Sequence, residues 1–171
     1  MQEIRPEELE DNPFSLIRDD WMLITAEKDA RVNMMTASWG GLGIIWNKPV
    51  ATVYIRESRF TKEFVDGSGR FSLCVLPEAY RKTLQYCGSA SGRDGDKVRA
   101  AGLTVEHLDS TPYFSQARLV MVCRTLFSQQ LLEANFLDAE IFSRLYPTRD
   151  LHTMYIAEIE RVLTRPSAAA Q

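Results

Sequence analysis

The residues best suited to chemistry lie in two short segments. Arg56-Glu57-Ser58-Arg59-Phe60-Thr61 follows an extended run and opens a helical one, so guanidinium groups, hydroxyls and free backbone N–H groups can converge on one dianion at a helix N-terminus. Gly88-Ser89-Ala90-Ser91-Gly92-Arg93 repeats that composition, with Lys97 one turn further on. The chemistry implied is phosphate binding. Either segment taken alone reads equally well as a solvated loop. The charge cluster Arg93-Asp94-Gly95-Asp96-Lys97 leans toward function, because an ordinary solvated turn does not need GSASG in front of it.

Other chemistries find less support. Gly41-Leu42-Gly43-Ile44-Ile45-Trp46 has the first two glycines of a dinucleotide fingerprint, but Trp46 stands where the third must be, and its bulk would block the close helix-to-strand approach. No phosphate-binding loop of the G-x-x-x-x-G-K-[ST] type and no G-x-S-x-G nucleophile elbow is present. His107 and His152 lack a Glu or Cys at metal-ligand spacing, so no metal site is expected. His152 alone is kept as a possible catalytic group acting through space. Cys74, Cys87 and Cys123 form no C-x-x-C pair and suggest reduced thiols. Cys74 and Cys123 sit inside apolar runs as packing. Cys87 closes a helix, where the carbonyl ends disfavour a thiolate, so it reads as a wall residue and not a redox centre.

Extended runs must position these groups. WMLITAEKD, VNMMTASWGGLGIIW and PVATVYIR are rich in β-branched and aromatic residues, and Glu27 to Arg31 marks a hairpin turn. A short helix is expected at Thr61 to Val65, ended by Asp66-Gly67-Ser68-Gly69, before RFSLCVLP resumes as strand. Pro77-Glu78 opens a second helix through AYRKTLQYC that stops at Gly88, and a third is expected near Lys97 to Ala101. LTVEHLD, ARLVMVCRTLFSQQLL and HTMYIAEIERVLTR return to strand, with a helix between Phe136 and Tyr146. That order is not the regular alternation of a doubly wound sheet. A mainly β fold follows, an antiparallel barrel with helices at its ends.

Bulk properties set the bounds. The chain has 171 residues, 45% of them hydrophobic, which suffices for one core and one domain over 1–171. Residues 1–15 read as an acidic N-terminal arm and 166–171, PSAAAQ, as a disordered tail. The acidic start is the reverse of a secretory signal, and no apolar run approaches the roughly 20 residues that span a bilayer. A cytoplasmic protein with no membrane partner is expected. A net charge of −3 with interspersed signs gives a nucleic-acid partner no footprint.

Taken together, NMMTASWGGLGIIWNKPV, SRFTKEF, YCGSASGRDGDK and HTMYIAEIE resemble the flavin reductase-like family of the FMN-binding split barrel, in its flavoredoxin-like branch. The resemblance implies a six-stranded antiparallel split barrel of Greek-key type, forming a homodimer with FMN sites at the subunit interface. It implies that Thr36, Ala37, Ser38 and Trp39 lie along the flavin ring and ribityl chain. Arg56, Ser58, Arg59 and Thr61 would hold the phosphate. Cys87, Gly88, Ser91, Gly92, Arg93 and Lys97 would form the second wall. His152 falls where the family often carries a polar group near the flavin or nicotinamide. The implied activity is NAD(P)H-dependent reduction of FMN, with electrons passing to a small molecule or a redox protein. Two alternatives stay open: a non-catalytic FMN electron carrier, and a haem-binding or cofactor-less split barrel that serves as a binding module.

Overall fold

A computed structural model describes residues 1–165. The expected tail at 166–171 lies outside the described residues. Among the described residues ten strands form: β1 Gln2–Ile4, β2 Met22–Lys28, β3 Arg31–Ala37, β4 Gly40–Ile45, β5 Lys48–Arg56, β6 Arg70–Val75, β7 Val105–Leu108, β8 Thr111–Phe114, β9 Leu119–Gln130 and β10 His152–Thr164. The helices are α1 Pro13–Ser15, α2 Phe60–Ser68, α3 Arg81–Ser89, α4 Lys97–Ala100 and α5 Ala139–Leu145.

One antiparallel sheet runs β3-β2-β6-β9-β10-β5-β4, with β1 added along β10, for eight strands in all; β7 and β8 pair apart from it. The expected count of six is therefore too low. The N-terminal arm contributes a strand through Gln2↔Thr164, and the 12- and 13-residue strands β9 and β10 are long enough to serve more than one neighbour. The split falls between β3 and β4. These are consecutive in sequence yet unpaired, and Ser38 and Trp39 bridge the gap.

Period-two alternation explains the two cores. Met22, Ile24 and Ala26 of β2 face the barrel interior with Met35 and Ala37 of β3, Phe71 and Leu73 of β6, and Tyr155 and Ala157 of β10. The opposite faces send out Leu23, Met34, Cys74 and Val120, which α3 and the β7–β8 hairpin cover with Leu84, Cys87 and Phe114. Each fully buried leucine of this kind contributes roughly 1.5–3 kcal/mol. A one-residue slip in β3 would swap the cores and carry Asn33 off its face.

The helices end for local reasons. Gly69 takes the left-handed conformation (φ 64°) and donates its N–H to the Val65 carbonyl, so α2 runs through Ser68 and outlasts the expected stop at Val65. Likewise α3 continues through Gly88 to Ser89, because the Ala90 N–H still finds the Tyr86 carbonyl at 2.9 Å. Asp96 caps α4 by accepting from the Arg99 N–H at 3.0 Å. No helix among the described residues is long and apolar enough to cross a membrane.

Candidate functional site

At the split, two cavities adjoin. The first, of about 300 Å³, is polar and is lined by Asn33 of β3, Arg56, Ser58, Arg59 and Thr61 around the start of α2, Ser91, Gly92 and Lys97 from the loop into α4, and Asp150. The second, of about 270 Å³, runs along Met35, Thr36, Ala37, Ser38 and Trp39 with Tyr54 and His152. Met35, Arg56 and Arg59 belong to both. A third cavity of about 520 Å³ continues from Ser38, Trp39 and Tyr54 into an apolar chamber formed by Phe14, Ile17, Leu42, Phe136 and Leu145.

The cations of the polar cavity are held by backbone carbonyls. Arg59 donates from Nη1 to the Gly88 carbonyl at 2.7 Å. Arg56 donates to Asp150 O at 2.7 Å and Leu145 O at 3.1 Å while lying over the Tyr146 ring. Lys97, only 6% exposed, donates from Nζ to Met34 O at 2.9 Å and Cys87 O at 2.6 Å, which ties α3 to β3. Burial pulls its ammonium down to about 8, and the nearby Arg59 pushes in the same direction. Each group keeps N–H bonds beyond those spent on carbonyls, since a guanidinium has five and an ammonium three.

Around them the loop is fitted tightly. Asn33 donates from Nδ2 to Thr61 Oγ1 at 2.9 Å, and both are buried. A Cβ on Gly92 would stand 2.3 Å from Asn33 Oδ1 and 3.1 Å from the Phe60 ring, so only glycine fits there. Arg31 reaches the carbonyls of Gly92 and Gly95, and with Arg93 it sandwiches Phe60 at centroid distances of 5.2 and 4.7 Å.

The ring-side cavity is differently made. Trp39 is 43% exposed and lies 5.0 Å from the His152 ring. His152 pairs in register with Arg56 and meets the Tyr146 hydroxyl through Nδ1 at 2.8 Å. Burial, with Arg56 adding to it, pulls the imidazole down to about 4, so it is neutral at ordinary pH. Gly40 lets β4 close on β5: a Cβ there would meet the Thr52 carbonyl at 2.8 Å.

The sequence-predicted residues therefore separate into groups. Thr36 to Trp39, Arg56, Ser58, Arg59, Thr61, Ser91, Gly92, Lys97 and His152 all line one cavity or both. Cys87, Gly88 and Arg93 line neither. Cys87 faces the outer core, fully buried, where burial pushes its thiol up to about 11. Gly88 packs against the Thr36 side chain and offers only its carbonyl. Arg93 is spent on Glu63 at 2.6 Å and Ser58 O at 3.0 Å. The Thr36 hydroxyl, too, turns away, to Leu84 O at 2.6 Å. Asn33, Tyr54, Tyr146 and Asp150 were not foreseen. Asn33 alone left a signal, a polar residue in an otherwise apolar strand segment.

The arrangement can do two things at once. Its polar end supplies positive charge, hydroxyls and buried donors suited to a phosphate, and its other end supplies a flat aromatic and aliphatic wall suited to a planar ring. These residues fit FMN, whose phosphate and isoalloxazine need that pair of environments.

Comparison with known proteins agrees with the architecture. The sequence pattern of the flavin reductase like domain matches residues 15–171. The uncharacterized protein YddH of Escherichia coli strain K12 is 30% identical over 86 residues, covering 49% of this chain and 45% of that protein, a little under half of either. The FMN-binding protein from Thermus thermophilus, solved with bound p-hydroxybenzaldehyde, superposes with a TM-score of 0.69 at 19% identity, over 100% of this chain and 86% of that one. Flavoredoxin from Methanosarcina acetivorans superposes at 0.67 and 21% identity, over 86% and 69%. At such identities the two structures speak for the split-barrel fold.

Proposed function

Since the chain belongs to the flavin reductase-like family, we propose that it is an FMN-binding oxidoreductase in which NAD(P)H reduces the flavin and electrons then pass to free flavin or a redox partner. The observation that carries this reading is the junction of the two cavities: a cationic, hydroxyl-lined end and a flat, apolar end that share Arg56, Arg59 and Met35. When bound, FMN supplies the redox chemistry, exchanging electrons singly or in pairs. The protein's own residues bind and orient. Arg59, Thr61, Ser91 and Lys97 would hold the phosphate, Arg56 would span the two ends, and Ala37, Ser38 and Trp39 would flank the ring. Neutral His152, which lines the ring-side cavity, carries its proton on Nε2 when Tyr146 donates to Nδ1.

The apolar chamber beyond Trp39 and Tyr54 suits the approach of a second reactant. A second copy of the chain is the partner we expect to finish its outer wall. Phe14 stands exposed in its lining, Ile44 and Trp46 are exposed further along β4 and its turn, and β4 ends the sheet with no strand on its outer side among the described residues.

The test begins with colour. Purified protein should take up FMN and oxidise NADH or NADPH in steady state; a colourless protein that binds no added FMN overturns the reading. Bound FMN without appreciable NAD(P)H consumption would make the chain an electron carrier. Light scattering of the FMN-loaded protein should give a dimer, and a species near the 19.5 kDa monomer would remove the second copy from the site.

A further inference from the structure

We propose that Asp150 is a resident anion of the polar cavity that competes with the flavin phosphate for Ser58, so that FMN is an exchangeable ligand. The inference rests on the reading that this cavity takes the phosphate. Asp150 comes from the segment between α5 and β10, far along the chain from α2, and Arg56 fastens that segment to the cavity wall through the carbonyls of Asp150 and Leu145. The carboxylate then lands on Ser58 twice. Its Oδ1 accepts the Ser58 backbone N–H at 3.0 Å, and its Oδ2 accepts the Ser58 hydroxyl at 2.6 Å.

A phosphate oxygen arriving ahead of α2 would seek those same two donors. With a carboxylate already on them, two outcomes are open to an incoming dianion. Either the Asp150 side chain, which is only half-buried, rotates off Ser58, or the phosphate settles on Arg59, Thr61, Ser91 and Lys97 with a like charge on the facing wall. Both weaken FMN through its phosphate and leave the ring untouched. Asp150 thereby sets how strongly the site prefers a phosphorylated flavin over riboflavin and how readily that flavin leaves.

The experiment is an equilibrium fluorescence titration of the full chain with FMN and, separately, with riboflavin, in wild type, Asp150→Asn and Asp150→Ala. Asparagine keeps an acceptor for Ser58 and removes only the charge; alanine also frees the serine. FMN should bind about tenfold more tightly to Asp150→Asn and at least as much to Asp150→Ala, as expected for removing a like charge a few ångströms away. Riboflavin should change by less than about twofold, since it carries no phosphate charge to feel the substitution. FMN affinity that is unchanged or weaker in either variant overturns the inference and makes Asp150 a brace for the Ser58 loop. Equal tightening of both flavins overturns it as well. A wild type that binds neither flavin sinks the reading of the cavity itself, a result distinct from FMN binding that ignores Asp150.

Discussion

The two ends of the site are built on opposite plans. At the polar end Arg56, Arg59 and Lys97 are each anchored to backbone carbonyls, so their charges are positioned before any ligand arrives. At the ring end Trp39 and Ser38 are exposed, and the apolar chamber beyond them opens past Phe14, which is 80% exposed. Preorganisation belongs to the phosphate grip and adaptability to the ring pocket. The two contributions to flavin affinity should therefore separate cleanly, and riboflavin, which lacks the phosphate, is the probe that separates them.

Removing Arg59 gives the largest expected effect. Arg59→Ala should weaken FMN by about 1.5–3 kcal/mol, the range for a hydrogen bond to a charged group, with riboflavin unmoved. Equal losses for both flavins would break the contrast between the ends. Lys97 comes next, and its two pH effects carry opposite signs. Its folded pKa of about 8 lies below the 10.5 of the free side chain, so the unfolded chain binds the extra proton and the flavin-free protein gains stability as pH rises from about 8 to 10.5. FMN affinity should fall over the same rise, as the ammonium that faces the phosphate is lost. Lys97→Met should flatten both curves, in denaturant titrations and in FMN titrations.

At the ring end the changes are smaller and indifferent to phosphate. Trp39→Ala should cost about 0.5–1.5 kcal/mol with FMN and riboflavin alike, the size of one aromatic contact. A loss confined to FMN would move Trp39 to the other end of the site. His152 acts on stability and not on flavin affinity. Its pKa is lowered from 6.5 to about 4, so the stability conferred by its neutral, buried form is fully present above about 6.5 and drains away as pH falls toward 4. His152→Asn should remove that part of the acid sensitivity; an unchanged acid limb would show that other groups cause it.

How much of this the sequence carried depends on the kind of signal. The apolar runs of β2, β6 and β9 are legible because strands buried on both faces read as continuous stretches of aliphatic and aromatic residues. The hairpins were harder. Glu27 to Arg31 reads as a turn, and Asp29-Ala30 is one; Trp46-Asn47 and Asp109-Ser110 share its positive φ at both residues, but neither carries the glycine that usually advertises such a turn. Hence β8, just past Asp109-Ser110, was hidden, and Trp46 looked like strand. Composition marks arginines and a lysine near the polar cavity, but it cannot tell a guanidinium facing the cavity from one bound, like Arg93, to Glu63. The Cys87 side chain points into the outer core, a direction that a helix end adjoining the loop does not reveal. Asp150 left no trace, since nothing near it in sequence says that Arg56 will draw it across.

Gly92 has a consequence for how this loop could vary over time. Its neighbours Arg93, Asp94 and Gly95 are exposed, whereas at 92 the chain needs a hydrogen atom where any other residue has a carbon. A methyl there displaces Asn33, and a displaced Asn33 releases Thr61. Charges can migrate along a loop and still serve a phosphate, but a required void cannot. The pairing of a glycine at 92 with an asparagine at 33 is therefore a sharper signature for finding this cavity in other chains than any of its arginines.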